Sequence, residues 1–183
     1  MSLLIALISS QTKTGKTTLA RVLAHEAEHR KLKVLLADCD PQKENSYHWL
    51  QAKQKDRIKV QIFPTVQKAL REVPKYDLTI LDGSTTINHT VLEIASKANL
   101  IIQPVGGDME DLKLAVEEFQ ILVKAGVAKE KLVFVLNHWN LSLPSEKAYQ
   151  YLIKTGHLVL EVVFSKQEIA QQILANLGQW VKK

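Results

Sequence analysis

Seven short apolar runs, rich in β-branched residues, recur along the chain: Leu3 to Ile8, Val34 to Ala37, Ile58 to Phe63, Leu78 to Leu81, Leu100 to Val105, Leu132 to Leu136 and Leu158 to Phe164. Near-continuous apolar strands predict a sheet covered on both faces. The longer stretches between them carry apolar residues at helical spacing, as in Ala20, Val22, Leu23 and Ala27, or Leu112, Ala115, Val116, Phe119 and Leu122. Strand alternating with helix predicts parallel βαβ units with right-handed crossovers. The expected fold is therefore α/β: a doubly wound, mostly parallel sheet flanked by helices. The run Ser165-Lys166-Gln167-Glu168 reads as a capping box, followed by Ile169, Ile173, Leu174 and Leu177 on one stripe, so a last helix is expected from about Lys166. No repeat, low-complexity tract or Pro/Gly/Ser-rich linker suggests a boundary, and one domain over residues 1–183 is the expectation.

Composition narrows the setting. The longest apolar runs are far below the roughly 20 residues a membrane-spanning helix needs, and the start Met1-Ser2-Leu3-Leu4 has no basic leader. A cytoplasmic protein is expected. The one cysteine, Cys39, cannot form an intrachain disulfide, suits a reducing compartment and reads as packing. A formal charge of +5 favours contact with polyanions such as DNA or anionic lipid, although the basic residues are scattered and a solvated surface accounts for most of them equally well.

Candidate chemistry concentrates at the first strand-to-helix turn. There Ser9-Ser10-Gln11-Thr12-Lys13-Thr14-Gly15-Lys16-Thr17-Thr18 has the form of a phosphate-binding loop. In such a turn, backbone N–H groups and the helix N-terminus surround phosphates, the lysine reaches the β and γ oxygens, and the next hydroxyl coordinates Mg²⁺. Lys16 and Thr17 take those roles, with Thr12, Lys13, Thr14, Gly15 and Thr18 completing the cradle. The general pattern G-x-x-x-x-G-K-[S/T] wants glycine where this chain has Ser10, and an ordinary capped helix start is the bland alternative.

Two acidic motifs fall at ends of predicted strands, where parallel sheets line their ligand crevice. Asp38-Cys39-Asp40-Pro41-Gln42 offers two carboxylates, suited to hydrated Mg²⁺ and to orienting an attacking water. Tyr76-Asp77-Leu78-Thr79-Ile80-Leu81-Asp82-Gly83 is an apolar strand ending in an acid and a glycine, the Walker B form, in which Asp82 would hold Mg²⁺ through water. A polar turn and a helix N-cap are the competing structural readings.

In this order and spacing, the three motifs resemble the ParA/MinD family of deviant Walker ATPases, and the similarity spans essentially the whole chain. Asp38-Cys39-Asp40-Pro41-Gln42 carries most of it, with Pro104 after the fifth strand, Asn137 closing the sixth, and Asn45 to Leu50 resembling a helix of small plasmid-type members. The resemblance implies ATP and Mg²⁺ as cofactors, Lys16 and Asp40 as catalytic residues, Thr17, Asp38 and Asp82 around the metal, and Asn137 against the adenine. It also implies weak ATP hydrolysis, an ATP-sandwich homodimer, nonspecific DNA binding, release by a ParB-like or cargo-adaptor partner, and a cytoplasmic, nucleoid-associated location without membrane anchoring. Such a cycle would segregate plasmid or chromosomal DNA or position a protein cargo such as carboxysomes. No DNA-binding extension precedes the loop, so operator-based autoregulation is not implied.

This chain departs from the family at its signature lysine, five residues before Lys16, where it has Gln11. Some carboxysome-positioning relatives also lack it and use a later lysine. Lys154 is the candidate substitute here and Lys13 the second. Candidate DNA contacts are Lys147, Lys154, Lys166 and Lys182. Asp108, Glu110 and Asp111 read as caps of the next helix. His25 and His29 are four apart on a helix, but without a third ligand the pair reads as surface. Competing functions are a P-loop small-molecule ligase or synthetase and a degenerate, nonhydrolysing nucleotide-binding module.

Overall fold

The computed structural model describes residues 2–39, 57–83, 89–162 and 166–181, with the side chains of 138–141, 162, 166 and 177–181 outside the description. Seven strands, β1 (Leu3–Leu7), β2 (Val34–Asp38), β3 (Ile58–Ile62), β4 (Leu78–Asp82), β5 (Leu100–Gly107), β6 (Leu132–Leu141) and β7 (Leu158–Val162), form one sheet in the order β3-β2-β4-β1-β5-β6-β7. Every pairing is parallel. Among the described residues six helices accompany it: α1 (Lys16–His29), α2 (Val66–Glu72), α3 (His89–Lys97), α4 (Met109–Lys124), α5 (Ser145–Ile153) and α6 (Lys166–Val181).

Strand side chains alternate between two cores. Ile5 and Leu7 of β1 point to the face covered by α1 and α6, meeting Leu19, Leu23, Ile169 and Ile173. Leu4, Ala6 and Ile8 point to the opposite face, where α2 to α5 supply Val66, Ile94, Phe119 and Leu152. Burial on both sides is why these strands read as continuous apolar runs. The sixth strand does not close at Asn137. It continues to Leu141, which pairs with Gly107 after a register slip between Val105 and Gly107.

Strand order fixes where a ligand can sit. The chain first moves from β1 toward β2, then returns to place β5 on the other side of β1, so the winding reverses at β1. A crevice opens beyond the carboxyl ends of strands at such a switch point. The loop Ser9 to Gly15 leaves β1 there.

Candidate functional site: a phosphate loop facing two carboxylates

The loop enters α1 through two left-handed residues, Lys13 at φ 61° and Gly15 at φ 97°. That alternation turns successive N–H groups toward one concavity, the arrangement that receives anions. Gly15 is demanded twice over: its φ disfavours a side chain, and an added Cβ would stand 3.3 Å from Asn137 Nδ2. The Lys16 ammonium folds back, donating to Ser9 O at 2.8 Å and to Gln11 O at 3.1 Å. A cation thus lies within the loop, next to the positive end of α1.

Asp38 and Asp82 end adjacent strands in register. Both are buried, and Thr17 hydrogen-bonds the Asp82 carboxylate. Burial pushes the Asp82 carboxyl up to about 6; the Thr17 bond opposes that rise, Asp38 adds to it, and Lys16 and Arg21 hold it down. Burial, with the Asp38 and Asp82 charges, drives the Cys39 thiol up to about 12. Gly83 follows because β1 and β4 converge: a Cβ there would stand 3.0 Å from Leu7 O, the atom that accepts the Gly83 N–H.

Asn137 packs behind the loop, its Nδ2 donating to Thr14 O at 3.2 Å. Its Oδ1 is buried without a partner among the described residues, as are Thr14 Oγ1 and Ser10 Oγ. A cleft of about 340 Å³ opens beside them, lined by Gln11 to Thr14, Gly106, Gly107 and Asp111. The unsatisfied Ser10 and Thr14 hydroxyls on a basic loop can donate and fit a phosphate ligand, and a hydroxyl with two carboxylates is a hard-oxygen set that fits Mg²⁺. In that arrangement the loop amides and Lys16 would hold phosphate, and Thr17, Asp38 and Asp82 would hold the metal.

Gln11 turns inward. Its Nε2 donates to Asp111 O at 2.6 Å, engaging the amide with α4 of its own chain. Beside it, the Ser10 N–H donates to Glu118 Oε1 at 3.1 Å, and the buried Gln103 amide donates to Glu118 Oε2. The sequence reading missed Glu118 and Gln103, although each interrupts a stripe. Glu118 sits between Ala115 and Leu122 on the core face of α4, and Gln103 lies inside the apolar run of β5. Asp108 and Asp111 do form a capping box at the start of α4, as their acidity suggested.

The remaining candidates are dispersed. Asp40 and Lys182 lie outside the described residues, together with the stretch Asn45 to Leu50. Lys166 opens α6, its side chain not described. Lys147 on α5 and Lys154 at its C-cap are exposed, seven residues apart and so on one side. Lys154 caps the end of α5 just before β7 starts, at the amino ends of the strands, whereas the loop leaves the carboxyl end of β1. The fold therefore does not bring Lys154 to the phosphate loop of its own chain, whereas Lys13 lies within that loop.

A phosphate loop at the switch point of an all-parallel sheet defines a nucleotide-binding α/β protein. The chain belongs to the CobQ/CobB/MinD/ParA nucleotide binding domain family, which it matches over residues 5–178. No curated protein matches it. Among solved structures it is similar to a plasmid partition protein from Borrelia burgdorferi, at 13% identity and a TM-score of 0.69, over 98% of this chain and 100% of that one. It is likewise similar to the cell division ATPase MinD from Pyrococcus furiosus, at 18% identity and TM-score 0.66, over 87% and 81% of the two chains. A third similar structure is an ATP complex of a McdA variant from Cyanothece, at 15% identity and TM-score 0.66, over 98% and 88%. At these identities the shared property is the fold. Among the described residues no helix is long and apolar enough to cross a membrane.

Proposed function

We propose that this chain is an ATP-dependent positioning ATPase that binds ATP and Mg²⁺ at the loop Thr12 to Thr18, dimerises around the nucleotide, and holds DNA nonspecifically while ATP-loaded. Hydrolysis stimulated by a ParB-like or cargo-adaptor protein would release it. The observation that carries the reading is the convergence of Lys16, Thr17, Asp38 and Asp82 at the switch point, in a member of a family that includes MinD and ParA. Magnesium there would neutralise charge on the transferring phosphate. The chain's own residues divide the remaining work: loop amides and Lys16 bind and orient the phosphates, Thr17 and Asp82 fix the position of the cation, and Asp40 positions the attacking water.

With the Gln11 amide engaged on Asp111 O, position 11 supplies no cation to a partner's phosphates. Lys13, in the loop itself, is the better placed of the two substitutes. For DNA, the exposed Lys147 and Lys154 share one side of α5, spaced about 10 Å apart along the helix axis.

The test is DNA binding by the purified protein without nucleotide, with ADP and with ATP·Mg²⁺, each across a salt series. Binding that requires ATP and weakens steeply with salt is the expected result, since phosphate contacts release counterions. Indifference to DNA in every state would overturn the positioning reading and favour a small-molecule ligase or a nonhydrolysing module.

A further inference from the structure

Outside the nucleotide site, His25, Glu28 and His29 gather on the last two turns of α1. The sequence offers the two imidazoles at i and i+4; the structure adds the third group. One ligand atom from each residue lies within 4.8 Å of the other two, and the imidazole rings stand 4.4 Å apart at 74°. Two atoms each about 2.1 Å from one ion are separated by no more than roughly 4.2 Å, so small rotations about side-chain bonds close the set on a metal. His29 is exposed and the other two are half-buried, leaving a fourth position open to water.

We propose that His25, Glu28 and His29 form a three-residue site for a zinc-class divalent ion. Imidazole nitrogen selects such ions over Mg²⁺, which prefers an all-oxygen shell, so this site and the phosphate loop draw on different metals. Position supports it: α1 ends at His29, and the negative pole of the helix dipole there favours a bound cation. The adjacent Arg30 guanidinium is directed elsewhere, pairing with Glu26 at 3.3 Å and reaching Gln171 O at 3.1 Å on α6. The run His25-Glu26-Ala27-Glu28-His29 also has the spacing of a helical zinc-hydrolase motif, in which the second residue is the general base. Here that residue, Glu26, is buried against Arg30 and unavailable as a base. The site therefore binds metal without hydrolytic chemistry and clamps the end of the helix whose start forms the phosphate loop.

The experiment is calorimetric titration of ZnCl₂ into the full-length, tag-free protein in excess Mg²⁺, with thermal melts in parallel. One zinc per chain is expected, with a zinc-dependent rise in Tm. His29→Ala should weaken binding by at least about 10-fold, and the His25→Ala/His29→Ala double variant should lose both the binding and the Tm rise while melting like the parent without zinc. No saturable binding by the parent, or zinc binding undiminished in the double variant, overturns the proposal.

Discussion

Glu118→Ala tests whether the phosphate loop is held from behind. Glu118 is 4% exposed and accepts two hydrogen bonds, from the Ser10 N–H and from the Gln103 amide. Removing the carboxylate strands two donors, and an unsatisfied buried donor costs about 1–3 kcal/mol. Partial relaxation at Ser10, near the surface, brings the expected loss to about 3 kcal/mol, a large share of the roughly 5–15 kcal/mol typical of a domain. Glu118→Gln should behave differently. The Gln103 Oε1 has no partner among the described residues, so a half-turn of that amide lets it accept from the amide introduced at position 118, whose own carbonyl oxygen still receives the Ser10 N–H. The cost of this variant should stay below about 1 kcal/mol. Urea unfolding of the parent and both variants, with ATP affinity measured on each, gives the comparison. ATP binding should fall with Ala and hold with Gln. An Ala variant within about 0.5 kcal/mol of the parent, or a Gln variant as damaged as Ala, would refute the reasoning.

Lys16→Ala should abolish ATP binding in equilibrium titrations, and tight binding that persists in this variant would sink the phosphate-loop assignment. Asp82→Asn should stabilise the nucleotide-free protein. A carboxyl raised from 3.8 to about 6 contributes stability that is present below the lower value and lost as pH rises through the upper. In chelator at about pH 7.5 the variant should therefore exceed the parent by up to about 3 kcal/mol, at about 1.36 kcal/mol per unit, with the gap closing near pH 4; a less stable variant at the higher pH contradicts this. His157 has the opposite sign. Burial, helped by Lys129, pushes it down to about 4, so its contribution is present above 6.5 and lost as pH falls toward 4. His157→Gln should flatten the acid limb of the stability profile, and an unchanged limb would show that some other group sets it.

The central strands were legible because they are buried on both faces, which leaves a nearly unbroken apolar signature, whereas the edge strands Ile58–Ile62 and Leu158–Val162 admit polar residues such as Lys59 and Glu161. The short helices α2, α3 and α5 were not singled out. Each runs only seven to nine residues, barely two turns of periodicity. Lys16, Thr17, Asp38 and Asp82 could be found because each sits in a contiguous motif whose place on a strand or turn follows from local pattern. Glu118 and Gln103 could not be matched to the loop that way. Ser10 and Glu118 are 108 residues apart in sequence, and only the packing of α4 over β5 brings them within hydrogen-bond reach. The place of Lys154 was equally illegible, because α5, leaving the carboxyl end of β6, runs back toward the amino ends of the strands before β7 begins. The third member of the His25 and His29 cluster was hidden in plain sequence, because Glu28 reads as one more surface acid until the helix places it beside both rings.

Cys39 gives the molecule a built-in clock. It is the sole thiol of the chain, buried beside Asp38 and Asp82, with its ionisation suppressed by both. Thiolate is the reactive form, so a maleimide should label Cys39 only through local openings that expose and ionise it. Labelling half-life, followed by mass alone on the unmodified sequence, thus compares the ease of local opening beside Asp38 in each nucleotide state, with no engineered probe to perturb it.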